Sequence, residues 1–204
     1  YIPRAQEITL EDLKDLTFLG ADGRGVKDLS GLEYCSNLQT LILTNNSITD
    51  ISPLASLTNL QNLGLDYNNI SDISPLASLT NLQMLTLSEN SIADISPLAS
   101  MTNLQTLGLY DNSIVNISPL TSLTNLQTLI LTYNSIVDIS PLASLTNLQE
   151  LHLNNNSIVD ISPLVANSGL SNGDYVLLFY NPLSDTSSNE YIPQLRDRGV
   201  SSSR

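Results

Sequence analysis

Four side chains that follow one another at intervals of 22 residues could together bind a cation: Tyr67, Glu89, Asp111 and Tyr133. Asp66 and Tyr110 lie directly beside them in the chain. If the four occupy neighbouring strands about 4.8 Å apart, the two carboxylates repel each other, and no Lys or Arg between residues 28 and 191 can relieve that repulsion. A lysine, arginine or other amine of a partner would pair with the carboxylates and contact the tyrosine rings. The alternative is a solvated acidic edge that water and salt screen.

Four further side chains complete the predicted partner-binding set: Met84, Ile130, Glu150 and His152. Glu150 and His152 suggest a metal site or an acid–base pair, but Ile130 and Leu177 occupy the equivalent positions of the adjacent units, so zinc would lack ligands. A pH-sensitive contact by His152 is the remaining option. No Ser-His-Asp or Cys-His set, paired-carboxylate cleft or phosphate loop occurs, so we expect no catalytic residue, no metal, no cofactor and no enzymatic activity.

The spacing of these side chains belongs to a repeat that runs through most of the chain. The unit L-T-N-L-Q-x-L-x-L-x-x-N-x-I-x-D-I-S-P-L-A-S begins at Leu57, Leu79, Met101, Leu123 and Leu145. Its constant Leu and Ile positions predict a shared core, and strand alternation turns the residues beside the paired leucines outward. The columns that vary are these outward ones, so constant residues predict a scaffold and variable residues a surface.

The L-x-x-L-x-L-x-x-N core resembles the leucine-rich repeat, and the complete frame is similar to the bacterial internalin-type repeat over about residues 13–183. The resemblance implies an α/β solenoid, a right-handed horseshoe with a parallel β-sheet on the concave face, short 3₁₀ or helical turns on the convex face, and capped ends. It also implies an extracellular or bacterial surface module that holds a protein on its concave face. We divide the chain into a cap segment at 1–12, the array at 13–183, and a cap helix and tail at 184–204. The array comprises a degenerate first unit, six units of the 22-residue type and an atypical last strand.

Three constant polar columns are predicted to be structural. The Asn column, which includes Asn68, should bond backbone groups at the turn that leaves each strand. Ser52 and its equivalents precede Pro, which predicts a helix N-cap followed by Pro at the first helical position. The Asp column, which includes Asp50 and is interrupted by Asn116, could attract Ca²⁺ or could accept backbone N–H bonds before the I-S-P turn, and the second reading is favoured.

The ends of the array carry their own expectations. Thr9 is predicted to cap a helical turn that begins near Leu10, and a helix is expected over 191–198 with Gly199 as its stop. This last segment is expected to fold over three aromatic residues: Tyr175, Phe179 and Tyr180. The single cysteine, Cys35, replaces Leu or Met in its column, which predicts a buried, unpaired thiol.

The net charge of −13, with all seven Lys and Arg near the two ends, disfavours nucleic acid and anionic membrane surfaces as partners. No apolar run approaches the roughly 18 residues that membrane insertion requires. We therefore expect a neutral or cationic protein or peptide ligand bound by a monomer. Two alternatives stay open. One is a spacer or assembly element of a larger surface protein, which the uniform units favour. The other is weak self-association through an exposed end of the array or through Ile42, Met84 and Ile130.

Overall fold

Residues 10–203 of a computed structural model are described, and they form one open sheet of nine parallel strands. The strands are β1 (Phe18–Gly20), β2 (Thr40–Ile42), β3 (Asn62–Gly64), β4 (Met84–Thr86), β5 (Thr106–Gly108), β6 (Thr128–Ile130), β7 (Glu150–His152), β8 (Tyr175–Leu177) and β9 (Ser201–Ser203). Each strand pairs with the next one in chain order, without crossovers. This arrangement confirms the predicted α/β solenoid, with the sheet on its concave face.

Short helical turns return the chain along the convex wall. The α-helices are α1 (Leu10–Lys14), α2 (Ser162–Ala166) and α3 (Ile192–Asp197), and a π-helical turn covers Ser187–Tyr191. The 3₁₀ turns are Leu32–Tyr34, Ser52–Ser56, Ser74–Ser78, Ser96–Ser100, Ser118–Ser122 and Ser140–Ser144. From Ser52–Ser56 to α2, each turn has Pro as its second residue, where a missing N–H costs nothing and the fixed φ favours the turn.

The core is a continuous stack of Leu and Ile side chains. The parallel register places Leu41 beside Leu63 and Leu63 beside Leu85, so that like residues contact one another from unit to unit. All three side chains are fully buried, and each contributes about 2 kcal/mol of favourable transfer free energy. The predicted core positions are confirmed throughout the array.

The Asn column forms a ladder of backbone contacts between units. Asn68 Oδ1 accepts a hydrogen bond from the Ile48 N–H at 3.0 Å. Its Nδ2 donates to the carbonyl oxygens of Leu43 and Leu65 at 3.0 and 3.1 Å. The same pattern recurs at Asn46, Asn90, Asn112, Asn134, Asn156 and Asn181. The predicted structural role of this column is therefore confirmed, because each side chain satisfies backbone groups that would otherwise be unpaired in the interior.

The predicted N-cap role of the Ser column is wrong. The 3₁₀ turn Ser52–Ser56 has Ile51 at its N-cap, without a side-chain cap bond. Asp50 Oδ1 accepts the Ser52 N–H at 2.8 Å instead, and Asn116 accepts the Ser118 N–H at 2.9 Å in its own unit. Hydrogen bonds from Ser74 lower the pKa of Asp72 below its ordinary value. The backbone role favoured for the Asp column is thus confirmed.

The C-terminal cap closes the core but leaves Tyr175 and Tyr180 exposed, while Phe179 is half-buried. Ile192 and Leu195 are buried against the final turn of the array, whereas Tyr180 is 82% exposed. The expected cover is therefore wrong for Tyr180, and Tyr175 is also exposed. The physical reason is that β9, which was not predicted from the sequence, continues the sheet beside β8. The cap therefore lies on the core side of the strands and does not cover these rings.

One arginine fixes that cap to the array. Arg198 donates from Nη1 to the Val165 and Asn167 carbonyls, both at 3.1 Å, and from Nη2 to the Leu164 carbonyl at 3.0 Å. The positive charge of Arg198 at the C-terminal end of α2 also interacts favourably with the helix dipole. Gly199, at φ 86°, ends the preceding helix as predicted.

The N-terminal end is described only from residue 10 onward. α1 agrees with the predicted helical turn, and the expected cap Thr9 lies outside the described residues. Cys35 is buried and unpaired, as predicted. Burial raises the pKa of its thiol above the usual value, and the charge of Glu33 adds to the shift.

Candidate functional site

The concave sheet ends in a row of residue pairs, here called the end rim: 44–45, 66–67, 88–89, 110–111, 132–133 and 154–155. The second residue of every pair has a left-handed backbone, with φ between 50° at Asp111 and 57° at Asn45. This conformation costs L-residues about 1 kcal/mol or more, except for Asn and Asp, which tolerate it better. Tyr67, Glu89 and Tyr133 occupy it nevertheless. This feature is not predictable from the sequence, since Tyr and Glu give no signal for a left-handed turn.

The structure brings five of the predicted site residues together around Tyr110, and these form the anchor cluster: Tyr67, Glu89, Tyr110, Asp111 and Tyr133. The rings of Tyr110 and Tyr133 meet edge to face, with centroids 5.5 Å apart and an interplanar angle of 82°. Tyr67 is 54% exposed and Tyr133 is 49% exposed, so aromatic surface faces solvent on both sides of the carboxylates.

Electrostatics within the anchor cluster are negative. Partial desolvation raises the pKa of Tyr110 above its ordinary value, and the charges of Glu89 and Asp111 raise it further. The phenol therefore remains neutral at physiological pH. Among residues 10–203, Glu89 and Asp111 take part in no ion pair, because the basic residues lie near the two ends. The cluster offers aromatic faces and unneutralised carboxylates together.

Asp66, the sixth predicted residue of this region, has a different environment. Its Oδ2 accepts a hydrogen bond from the Thr86 hydroxyl, and its Oδ1 accepts the Ser88 N–H at 2.8 Å. Both of its carboxylate oxygens therefore bind the next unit, and the half-buried side chain supports the rim from below.

The remaining predicted residues lie on the strands themselves. Met84 begins β4 and Ile130 ends β6, and both are half-buried on the concave face. Glu150 and His152 form a separate pair on β7, where Glu150 Oε1 lies 2.9 Å from His152 Nε2. The imidazole N–H is not aligned with that carboxylate, so the contact is a close approach without a formed hydrogen bond.

Tyr175 is a neighbour of this pair that the sequence analysis did not include. Its ring meets that of His152 edge to face, with centroids 6.1 Å apart. The register pairs Tyr175 with Glu150 and Leu177 with His152, so the ring contact is diagonal across the two strands. Leu177 lies opposite His152, as predicted from the sequence, and the structure adds the contact with Tyr175.

A second concave feature, the amide groove, runs along the edge where the strands begin. It has a volume of about 640 Å³ and is lined only by side-chain amides: Asn59, Gln61, Asn81, Gln83, Asn103, Gln105, Asn125, Gln127 and Asn147. The constancy of T-N-L-Q had predicted a scaffold role alone. The available signal was that Gln is exposed and yet identical in every unit.

The described part of the chain lacks both a metal-binding cluster and a membrane-spanning helix. No group of three or more His, Cys, Asp or Glu side chains there could hold a metal ion. No helix in residues 10–203 has the length and hydropathy needed to cross a membrane.

Comparison with known proteins identifies the class. The family model for leucine-rich repeats (two copies) matches residues 36–78, 80–122 and 124–166, and the chain belongs to this family. Proteins with this fold commonly mediate protein–protein interactions and are typically non-enzymatic. No curated protein sequence matches the chain.

Solved structures narrow the class to the internalin-like type. An internalin (inlF) from Listeria monocytogenes superposes with a TM-score of 0.72 at 35% identity, covering 97% of this chain and 65% of its own. Internalin C2 (inlC2) from the same organism gives 0.67 at 39% identity, covering 87% of this chain and 84% of its own. The predicted resemblance to bacterial internalin-like repeats is thus confirmed, although the chain spans less than two thirds of the first of these relatives.

A plant structure shares the fold more distantly. The peptide hormone receptor RGFR1, solved in complex with RGF2, superposes with a TM-score of 0.65 at 27% identity. The alignment covers 74% of this chain and 26% of the receptor.

Proposed function

We propose that this protein is a non-enzymatic recognition module that binds a protein or peptide through its concave sheet and end rim. The observation that carries the proposal is the anchor cluster, where exposed tyrosines surround two carboxylates that have no basic partner within the described chain. The proposed ligand presents a Lys or Arg side chain there, and the protein acts outside the cell or on the bacterial surface.

The chemistry of the cluster suits a cationic side chain. A guanidinium or ammonium group can contact the face of a tyrosine while it pairs with a carboxylate. Desolvation on docking strengthens both contacts, because the local dielectric falls. Since Tyr110 remains neutral, its hydroxyl adds a donor and an acceptor beside the two charges.

The other predicted residues take supporting roles in this proposal. Met84 and Ile130 would give apolar contact area on the strands, and Glu150 with His152 would extend the interface toward β8. Asp66 holds the rim in place rather than meeting the ligand. The array at 13–183, between caps at 1–12 and 184–204, is the proposed recognition unit.

A distant relative supports a peptide as ligand. The RGFR1 receptor, with the same fold, is described as a peptide hormone receptor in complex with RGF2. An extended peptide on a leucine-rich repeat surface could contact several adjacent units, because each unit presents its own set of outward side chains.

Selection from a displayed library of random peptides tests this proposal. We expect the peptides retained by the native chain to be enriched in Lys and Arg. Their affinity for Glu89→Gln/Asp111→Asn should fall at least about tenfold, since charge-assisted contacts contribute about 1.5–3 kcal/mol each. The same peptides should bind the native chain less tightly as salt is added.

The matched control removes two charges far from the rim, at exposed positions of the C-terminal cap: Asp185→Asn and Glu190→Gln. This variant has the same net charge as the anchor variant and should bind the peptides as the native chain does. Equal binding by the anchor variant would show that the cluster is not the site. Absence of any enriched peptide would favour the spacer alternative, which the near-identical units also support.

A further inference from the structure

The glutamines of the amide groove are constant and exposed. The column Gln39, Gln61, Gln83, Gln105, Gln127 and Gln149 is exposed in all six units. The very next column, also outward-facing, runs through Thr40, Asn62, Met84, Thr106, Thr128 and Glu150. Thr80 and its equivalents in the other 22-residue units are equally constant and exposed. A role for Gln therefore depends on its contacts and on the chemistry of the groove.

Internal hydrogen bonds do not occupy the Gln side chains of the groove. The hydrogen bonds described along the groove come from the Asn column, as in Asn81 Nδ2 donating to the Thr58 carbonyl at 2.9 Å. Within residues 10–203 the Gln side chains of the groove take part in no described hydrogen bond, and their backbone groups alone form the ladder, for example Gln83 N–H to the Gln61 carbonyl at 2.8 Å. The glutamine carboxamides are thus free to meet a ligand.

The asparagines beside them are already oriented. Every groove Asn donates its Nδ2 to a carbonyl of the preceding unit: Asn59, Asn81, Asn103, Asn125 and Asn147, at 2.7–3.0 Å. Each fixed carboxamide keeps its oxygen as an acceptor in a set direction, so little conformational entropy is lost when a donor binds. The groove combines fixed acceptors with mobile groups that both donate and accept.

The chemistry of the lining narrows the ligand class. The groove contains no charge, which removes the attraction for ionic ligands, and no apolar side chain, which leaves a peptide without pockets for its side chains. Hydroxyl groups both donate and accept, as carboxamides do. A ligand with many hydroxyls and no charge matches the groove best.

The repeat also favours a polymeric ligand. Neighbouring units lie about 4.8 Å apart, so the row from Asn59 to Asn147 extends over roughly 19 Å. Single neutral hydrogen bonds contribute only about 1 kcal/mol each, but a chain that meets several units gains from each in turn. We propose that the amide groove binds a neutral polysaccharide chain lying across the strands.

A panel of neutral oligosaccharides, from disaccharides to octasaccharides of glucose, mannose and N-acetylglucosamine, tests the inference. Titration followed by NMR should shift the Gln side-chain amide signals of the groove for at least one sugar series, with affinity that increases with chain length. Gln83→Ala/Gln105→Ala should weaken that binding about tenfold, because two hydrogen-bonding groups are lost.

The control keeps the groove and removes the anchor rings, with Tyr67→Ala/Tyr133→Ala, and should bind the sugars as the native chain does. Sugar binding by this variant would show that the groove acts independently of the proposed peptide site. Failure of the peptide proposal would then leave the sugar result unchanged. An uncharged Gly-Ser peptide of similar length serves as the competing occupant. The inference is overturned if no sugar moves the Gln signals, if the Gln variant binds as well as the native chain, or if the peptide binds more tightly than every sugar.

Discussion

The two edges of the concave sheet share one repeating backbone but differ in how their side chains vary. Along the end rim the backbone is left-handed in every unit, while the residue there changes from Asn45 through Tyr67, Glu89 and Asp111. Along the amide groove the residue stays the same. Variation alone therefore does not identify a binding surface in a repeat protein. The rim presents different side chains on a costly backbone, whereas the groove presents the same carboxamides in each unit, so each edge needs its own test.

The prediction with the largest expected effect concerns the end of the amide groove. Beyond Asn147 the next unit places Gly169 against the array, and a Cβ at Gly169 would lie 1.9 Å from the Thr146 carbonyl oxygen. Gly169→Ala should lower the free energy of unfolding by about 3 kcal/mol or more, because the backbone must shift. Urea denaturation measures the loss.

Gly108→Ala is the matched control on the concave face. The added Cβ would meet side-chain atoms of Ser88 and Thr86 at 3.4 Å, which is close to ordinary contact. This change should cost less than about 1 kcal/mol. Equal losses for the two alanine variants would contradict the described packing at the end of the groove.

The second test compares asparagines of the two edges. Asn68, which supports the end rim, is 8% exposed and bonds backbone groups of both adjoining turns. Asn68→Ala should cost about 2 kcal/mol, since buried carbonyls and an N–H lose their partner. Asn81→Ala, at the groove, removes one exposed hydrogen bond and should cost less than about 1 kcal/mol. Thermal unfolding of both variants measures the two losses. A larger loss for Asn81→Ala than for Asn68→Ala would contradict the described hydrogen bonds.

The third test addresses the backbone conformation of the end rim. Glu89 has φ 54°, a region that Asn adopts more readily than Glu. Glu89→Asn should be more stable than Glu89→Gln by about 0.5 kcal/mol, because both remove the charge and only Asn suits the backbone. Denaturant midpoints of the two variants give the difference, and equal midpoints would show that the rim carries no such cost.

The smallest effect is a titration within the anchor cluster. Desolvation and then the charges of Glu89 and Asp111 raise the pKa of Tyr110, so Glu89→Gln/Asp111→Asn should lower that pKa part of the way toward its ordinary value. Since the folded state holds the phenol proton more tightly, its contribution to stability is complete below the ordinary pKa of about 10 and is lost as the pH rises through the raised value. Phenolate absorbance against pH measures the shift.

Asp94→Asn on the convex wall provides the reference for that titration. It removes a carboxylate that accepts the Ser96 N–H at 2.8 Å, far along the unit from the rim. The Tyr110 titration should be unchanged in this variant. A shift as large as that of the rim variant would mean that overall charge, rather than the cluster, determines the pKa.

The fold was predictable because its cause is periodic. Constant Leu and Ile columns, the Asn ladder and the Asp acceptors each repeat at one spacing, so a single unit shows the structural role of the rest. The clustering around Tyr110 followed from the same register.

Other features were beyond the sequence because they break or hide that period. β9 is a run of serines, which favours no strand by composition, and it forms because β8 offers an unpaired edge. The left-handed rim was hidden by residues that seldom adopt it, such as Tyr67. Ser52 precedes Pro and so predicted a cap, but the turn has Ile51 at its N-cap, and Asp50 accepts the N–H of Ser52 itself.

The constant register of the strands makes the repeat units structurally equivalent. Phe18 pairs with Thr40, Thr40 with Asn62, and so on to Glu150, always with the same offset of one unit. Recombination between two units can therefore delete or insert a whole unit without creating a new kind of contact in the core. Each such event changes the length of the molecule by a fixed step and brings different rim residues side by side. Such events can produce new surfaces, while each product keeps the same core and strand register.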